Sequence, residues 1–224
     1  GYSPDMKESD DAIHATLSRV LLTGALPPGT QLIETRVAAL FGVSRERVRK
    51  VLHRLGHERL LELVPNKGAF VKTPTLEQAR EIYEARRVAE GGIVARLATR
   101  RLSPAQLQAL QRHLKAEEAA ARKADRAESV RLSGEFHLLL AEATASDAVV
   151  THLRELVSRT ALLVALFEEG NASHCGCDEH RLILGELSQG NLGGALNAMY
   201  SHLSLIETRL QPRQAETPVD VDAV

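Results

Sequence analysis

The sequence predicts a mostly α chain in two parts, a small N-terminal unit of three helices closed by a β-hairpin and a C-terminal antiparallel bundle of six helices. Three observations carry that expectation. Leu, Ala, Arg and Glu dominate the composition while aromatics make up only 3% with no Trp, which suits helices rather than an aromatic-rich sandwich or a base-stacking platform. The two strand-like runs, LLELV and AFVK, both lie between residues 60 and 73. Beyond Pro74 the apolar spacing is helical throughout, broken only by short turn signals.

Taken in order, residues 10–24 place Ile13, Leu17, Val20 and Leu21 at helical spacing, and Gly24 ends the run. ALPPGTQL reads as a turn, because two prolines cannot sit inside a helix. ETRVAALF (34–41) is a short helix, Gly42-Val43 a tight turn, and Ser44 a good N-cap for a third helix at 45–56. That helix buries Val48, Val51, Leu52 and Leu55, and Gly56 closes it. Pro65-Asn66-Lys67-Gly68 joins the two strands as a basic hairpin tip. Helices are then expected at 76–100, 104–125, 127–144, 147–169, 173–189 and 191–210. The expected organisation is a flexible N-terminus (1–9), a DNA-binding unit (10–74), an all-helical ligand-binding and dimerisation unit (75–210) and a flexible tail (211–224).

The net charge of −1 hides an asymmetry. Residues 36–72 carry 9 Lys and Arg against 3 Asp and Glu, whereas residues 76–224 carry 17 against 21. A basic block beside an acidic remainder points to a polyanion-binding part joined to something else. No run approaches the length of apolar sequence that spans a bilayer, so no membrane partner is expected. The polar, acidic GYSPDMKESDD is unlike a secretory signal, and a cytoplasmic location is expected. Cys175 and Cys177 are the only cysteines; with one residue between them a mutual disulfide would be strained, and two thiols are expected at a loop-to-helix junction. HCGCDEH (174–180) also admits a thiolate-metal or redox-sensor reading.

Two short helices joined by a glycine turn, then a helix bearing Arg45, Arg47, Arg49, Lys50 and Arg54, then a hairpin with a basic tip, form a winged helix-turn-helix in the right order. Ser44 and Arg45 stand at the N-terminus of the reading helix, where free N–H groups and the helix dipole favour a phosphate and side chains reach base edges. Thr35, Arg36, Ser44, Arg45, Arg47, Arg49, Lys67 and Gly68 are the expected contacts to double-stranded DNA. This stretch closely resembles the winged helix-turn-helix of GntR-family bacterial transcription regulators. The resemblance rests on Gly24, Leu26, Pro28, Gly29 and Leu32; on Glu34, Val37 and Ala38; on Gly42 to Arg45, Val48 and Arg49; and on Lys67, Gly68 and Val71. Lys67 replaces the usual wing Arg, Glu46-Arg47 the common Thr-Pro, and Lys50 the usual Glu, so the operator is expected to differ from the family's commonest one.

His137, His180 and His202 each sit mid-helix among Leu or Phe, a pattern that suits either satisfied core histidines or three imidazoles converging on a cation. EIYEARRVAEGGIVARLA (81–98), EFHLLLAEAT (135–144) and DEHRLILGELSQGNLGGALNAMYSHL (178–203) resemble the FadR-type C-terminal (FCD) domain. That resemblance implies a divalent metal held by one Asp and three His. His137, His180 and His202 match the histidines, while the Asp position is Ser133, four residues before His137 and on the same helix face. Three imidazoles without the carboxylate suit Zn²⁺ or Ni²⁺ better than Mg²⁺. Arg86 faces inward if Ile82, Val88, Ala89 and Ile93 are core; it either binds a small carboxylate effector bidentately or pairs with Glu90 one turn on.

The expected function is a homodimeric, ligand-responsive transcription regulator on a palindromic operator, a repressor released by a small organic acid bound in the helical unit, and not an enzyme. The alternatives are a metal- or redox-sensing repressor and a three-histidine metalloenzyme fused to a DNA-binding module. The latter lacks a carboxylate at general-base spacing from the histidines.

Overall fold

A computed structural model describes residues 9–168 and 176–210. The chain divides into two compact units, one reaching to Thr73 and the other starting at Pro74. The tail expected to be loose at 211–224, and residues 1–8, lie outside the described residues.

The N-terminal unit contains α1 (Asp10–Leu22), β1 (Gln31–Leu32), α2 (Glu34–Phe41), α3 (Arg45–His57), β2 (Leu61–Val64) and β3 (Gly68–Val71). Ser9 caps α1 by accepting from the Ala12 N–H, and Ser44 caps α3 by accepting from the Arg47 N–H. Gly42 ends α2 with φ +62°, a left-handed conformation that lets α3 leave at a sharp angle without a side-chain clash. The faces so brought together bury Ile13, Leu17 and Leu21 of α1, Val37 of α2, and Val48, Val51, Leu52 and Leu55 of α3.

The sheet corrects the expected two-stranded hairpin. It has three antiparallel strands in the order β1-β3-β2, with Gln31 opposite Phe70 and Leu32 opposite Ala69. The segment read as a turn thus continues into a short strand that covers the outer edge of β3, where backbone groups would otherwise go unpaired. The Gly29 N–H donates to the Val71 carbonyl, and the Val71 N–H to the Thr30 carbonyl, each at 2.8 Å. Two residues of strand are too few to show an alternating pattern. The Gln31 side chain also donates to the Lys67 carbonyl at 2.7 Å and so fixes the wing tip.

The C-terminal unit contains α4 (Leu76–Arg100), α5 (Pro104–Arg122), α6 (Arg126–Glu142), α7 (Asp147–Phe167), α8 (Cys177–Gln189) and α9 (Leu192–Thr208). Capping explains most of the boundaries. Thr75 with Gln78 and Ser103 with Gln106 make reciprocal capping boxes, and Asp125, Ser146 and Asn191 cap α6, α7 and α9. α5 stops at Arg122 rather than near 125, because Ala124 turns left-handed (φ +53°) and Asp125 is used as the next cap. α8 begins at Cys177; the expected first turn at 173–175 lies outside the described residues.

α4 runs through the middle of the unit, packed on α6, α7, α8 and α9, while α5 closes against α6 and α8. Tyr83, Val94, Phe136, Leu140, Leu163, Ile183, Met199 and Leu203 are among the buried residues of this core. The buried stripes are not purely apolar: Arg86 and Glu90 of α4, His113 and Glu117 of α5, His137, His180 and His202 lie within them. Burying such groups costs several kcal/mol each unless they are paired, so the core can only close around a connected polar cluster.

In the winged unit, Leu55→Ala should lower stability by about 2–5 kcal/mol, since Leu55 is fully buried between α3 and its neighbours. Leu40→Ala, at a position 76% exposed, should change it by less than about 0.5 kcal/mol. Chemical denaturation of the full chain with a probe in the winged unit checks both values.

Candidate functional site

The exposed side of α3 carries the predicted DNA contacts, and acidic residues hold its arginines in place. Arg49 donates from Nε and a terminal nitrogen to the two oxygens of Glu34 on α2, both at 2.9 Å, and Arg45 lies 3.6 Å from the same carboxylate. The Arg49 hydrogen bond holds the Glu34 carboxyl below its usual range. Arg47, half-buried, donates to Asp10 of α1 at 2.8 Å, and Arg54 donates to Asp11 at 2.7 Å. Thr35, Arg36, Ser44, Arg45 and Arg49 are exposed, as are Lys67 in the turn between β2 and β3 and Gly68 at the start of β3. The structure therefore joins Arg45 and Arg49 through Glu34 and ties Arg47 to α1. The three carboxylates of Asp10, Asp11 and Glu34 were not singled out from the sequence as partners of these arginines.

In the second unit His137 of α6, His180 of α8 and His202 of α9 converge. Their ligand nitrogens all lie within 4.8 Å of one another, and the three residues are at most 1% exposed. The His202 Nε2 is 3.2 Å from the His137 Nε2 and 3.0 Å from the His180 Nε2. The Phe136 ring stacks on His180 with 4.1 Å between centroids, which fixes the plane of that imidazole. Gly176 also belongs to this wall: a Cβ there would stand 2.9 Å from the His202 Cε1 and 3.5 Å from the His180 Nε2, so no larger side chain fits beside the histidines.

Each imidazole turns its other nitrogen to a carboxylate. The His137 Nδ1 meets Glu90, and the His180 Nδ1 lies 2.9 and 3.1 Å from the two oxygens of Glu117. The His202 Nδ1 is 3.6 Å from Glu179, just beyond hydrogen-bond length. Glu117 also lies 3.3 Å from His113, whose ring is 2.7 Å from the Leu132 carbonyl. Burial would raise the Glu90 carboxyl, but the Arg86 guanidinium and His137 outweigh it and hold it down to about 2. Glu117 is likewise down to about 2, burial being outweighed by His113 and His180. Burial pushes His137 down to about 3, against the pull of Glu90, and His202 down to about 4. The cluster is thus one of ionised carboxylates and, at His137 and His202, neutral imidazoles.

That charge state has a geometric consequence. A neutral imidazole that donates its Nδ1–H to a carboxylate carries a lone pair on Nε2. The His202 Nδ1 has no hydrogen-bond partner, so the proton of this imidazole can stand on Nε2 and bridge to His180 or His137 at 3.0–3.2 Å. A divalent cation can take the place of that proton: a tetrahedral ion with nitrogen ligands at about 2.0–2.1 Å separates them by roughly 3.3 Å, close to the spacings found. The donor set therefore fits a metal such as Zn²⁺ or Ni²⁺, with His137, His180 and His202 as the residues that would hold it.

A cavity of about 80 Å³ opens beside the cluster, walled by Val157, Val164 and Ile206 and lined by His137, His202, Ser133 and Arg86. Both sequence readings of Arg86 meet here. Its Nε donates to Glu90 at 2.7 Å and one terminal nitrogen to the Thr160 hydroxyl at 2.9 Å. The other terminal nitrogen is buried without a partner, as are the Tyr83 hydroxyl and the Ser129 Oγ, all from residues lining this cavity. Unpaired buried donors are costly, and their clustering marks a place for an oxygen-rich ligand.

Sequence reasoning named Glu90 only as an ion-pair partner of Arg86 and missed Glu117, Glu179 and His113. The usable signal was the pair His113 and Glu117, one turn apart on a stripe otherwise made of Leu110, Leu114 and Ala120. The expectation of two free thiols is corrected for Cys177, which is disulfide-bonded; Cys175, the other cysteine of the chain, and His174 lie outside the described residues. Cys177 is thus not a thiolate ligand here. Among the described residues, no helix is long and apolar enough to cross a membrane.

The fold and the basic face of α3 fit a DNA-binding regulator with a helical second domain, and comparison with known proteins agrees. Residues 10–71 match the family of bacterial regulatory proteins, gntR family, and residues 81–205 match the FCD domain. The chain belongs to the GntR-family regulators that carry an FCD domain, and is a DNA-binding transcriptional regulator of that type. It is 28% identical over 211 residues to the HTH-type transcriptional regulator LutR of Bacillus subtilis (strain 168), covering 84% of this chain and 94% of that one. It is 26% identical over 206 residues to the HTH-type transcriptional repressor RspR of Escherichia coli (strain K12), covering 90% and 89%. Among solved structures it shares the fold of E. coli McbR/YncC, with a TM-score of 0.74, 24% identity, and 89% and 95% of the two chains covered.

The buried titratable groups give the metal-free protein an acid-labile second unit. The folded values of His137 and His202 lie below the ordinary 6.5, and those of Glu90 and Glu117 below the ordinary 4.5. In both windows the unfolded chain binds more protons, so stability rises with pH. It should be complete above about pH 6.5 and fall as the pH drops through the histidine window, then through the carboxylate window towards 2. Thermal melts of chelator-treated protein at pH 7.5, 5.5 and 4.5 should show a falling midpoint; a flat series would contradict the assignment.

Proposed function

We propose that the chain is a cytoplasmic, ligand-responsive transcriptional repressor, acting as a homodimer on a palindromic operator and released by a small organic acid. In this reading residues 10–74 read one half-site, and residues 75–210 bind the effector and dimerise. The observation that carries it is the convergence of His137, His180 and His202 beside a cavity lined by His137, His202 and Arg86, whose second terminal nitrogen is buried without a partner. A metal held by His137, His180 and His202 has only three protein ligands, which leaves coordination positions for oxygen and supplies Lewis acidity towards a carboxylate. Arg86 then takes the second oxygen of that carboxylate, and the small, partly apolar cavity limits the rest of the molecule. Ser133 lines the same cavity one helical turn from His137, where a neutral hydroxyl leaves room for the effector's own oxygen. The repressor assignment is supported by the printed function of the RspR relative.

A second reading, with the ion itself as the signal, draws on the same trihistidine geometry. Operator binding measured with chelator, with Zn²⁺ alone, and with Zn²⁺ plus a panel of short carboxylic acids separates the two. Release only in the presence of both metal and acid supports the first reading; release by Zn²⁺ alone supports the second.

Two predictions follow from the separate units. Arg45→Ala or Arg49→Ala should weaken operator binding by about 1–3 kcal/mol and relax one base position, whereas Lys67→Ala should weaken all sequences alike and lower the salt slope by about 1. Gel-shift titrations at several salt concentrations, with sedimentation of the free and bound chain to count protomers, check this. In the second unit, His180→Ala should abolish stoichiometric Zn²⁺ uptake, while Ser133→Asp should tighten it, because a charged oxygen is restored beside His137. Elemental analysis and the metal-dependent shift of the melting temperature report both effects.

A further inference from the structure

Glu90 is a single buried carboxylate shared by two groups with different tasks. One oxygen accepts from the Arg86 Nε at 2.7 Å; the other faces the His137 Nδ1. Arg86 keeps one terminal nitrogen unpartnered and the His137 Nε2 points to the other imidazoles, so Glu90 joins the anion-binding end of the cavity to the metal-binding end. Glu90 and Arg86 are 1% and 4% exposed, where solvent and salt screen little.

We propose that Glu90 is a positioning residue that couples the two ligands of this site, so that a carboxylate bound at Arg86 and a divalent metal bound at His137 tighten one another. This rests on the reading above that the cavity takes both. The cause is electrostatic. Arg86 polarises Glu90 and draws charge away from the oxygen facing His137. An anion on the spare Arg86 nitrogen offsets the guanidinium charge, which makes that oxygen the stronger acceptor. A stronger acceptor on Nδ1 makes the Nε2 a better ligand. By linkage the metal tightens the anion by the same factor.

Of the other two histidines, His180 lacks an equivalent connection and His202 has a looser one. Glu179 stands 3.6 Å from the His202 Nδ1 and 3.8 Å from Arg209, which also lines the cavity, too far at both ends for hydrogen bonds. Glu117 is shared between His180 and His113 rather than with a cavity arginine, and supplies an internal control.

The test titrates Zn²⁺ into the full chain against a chromophoric chelator, with and without acetate as the probe anion. Acetate should tighten Zn²⁺ binding of the wild type about 10-fold, within the usual range for coupled sites. Glu90→Gln should lower Zn²⁺ affinity roughly 10- to 100-fold, as loss of a carboxylate behind a ligating histidine does, and reduce the acetate effect to about 3-fold or less, the remainder coming from acetate that ligates the ion directly. Glu117→Gln, which removes the carboxylate behind His180, should lose Zn²⁺ affinity but keep an acetate effect of at least about 5-fold. If Glu90→Gln does not fold, Arg86→Lys carries the test: it leaves a cation against Glu90, removes the planar fork, and should likewise diminish the acetate effect. An undiminished acetate effect in the informative variant, or a wild type that binds Zn²⁺ without one, overturns the coupling and leaves the metal site standing. A wild type that takes up no Zn²⁺ in either buffer overturns both.

Discussion

Ionised groups in the middle of a helical core are tolerated only when each is met by a partner, and the C-terminal unit is arranged around that requirement. Arg86, Glu90, Glu117 and three imidazoles lie on the buried stripes of five helices, where a packed apolar core would have been the cheaper solution. Arg86 with Glu90, Glu90 with His137, and Glu117 with His113 and His180 form the links that make this burial bearable. The links cross from α4 to α6 and from α5 to α8, so they also fix which helices stand beside one another. What they leave over is the facing Nε2 atoms of three imidazoles and, among the residues lining the cavity, unpaired atoms of Arg86, Tyr83 and Ser129.

The winged unit solves the opposite problem. Its core is apolar and small, and its charges are on the outside, where pairing is worth little stability. There the pairs of Arg49 with Glu34 and of Arg47 with Asp10 act on shape. A guanidinium gripped at two points by a carboxylate from the preceding helix has few rotamers to lose, so its orientation relative to α3 is set before any ligand arrives.

Much of this was legible in the sequence, for identifiable reasons. Ser44, Ser103 and Ser146 announce helix starts because the orphan N–H groups they satisfy are a local need, visible within four residues. The inward direction of His137, His180 and His202 follows from their apolar neighbours at helical spacing. Other features needed the third dimension. Strand β1 exists because β3 has an open edge, which is a non-local demand on two residues that carry no pattern of their own. Glu117 and Glu179 read as ordinary surface glutamates until their helices are placed beside α8 and α9. The partnership of Asp10 and Asp11 with arginines some forty residues on is likewise invisible in one dimension. Cys177 shows the limit in another way: its spacing from Cys175 argued against a bond that the structure records at Cys177.

The carboxylates that α1 and α2 set against the reading helix bear on how such a protein searches a genome. The local excess of positive charge between residues 36 and 72 suggests a surface that clings to any phosphate. With Asp10, Asp11 and Glu34 paired to Arg47, Arg54 and Arg49, part of that positive charge is already met by carboxylates, and an arbitrary stretch of duplex gains less from counterion release. Only a sequence whose base edges give Arg45 and Arg49 something better than Glu34 repays the exchange. Discrimination then comes from weakening the hold on wrong sites as much as from strengthening it on the right one, and residence at non-cognate DNA is short by construction.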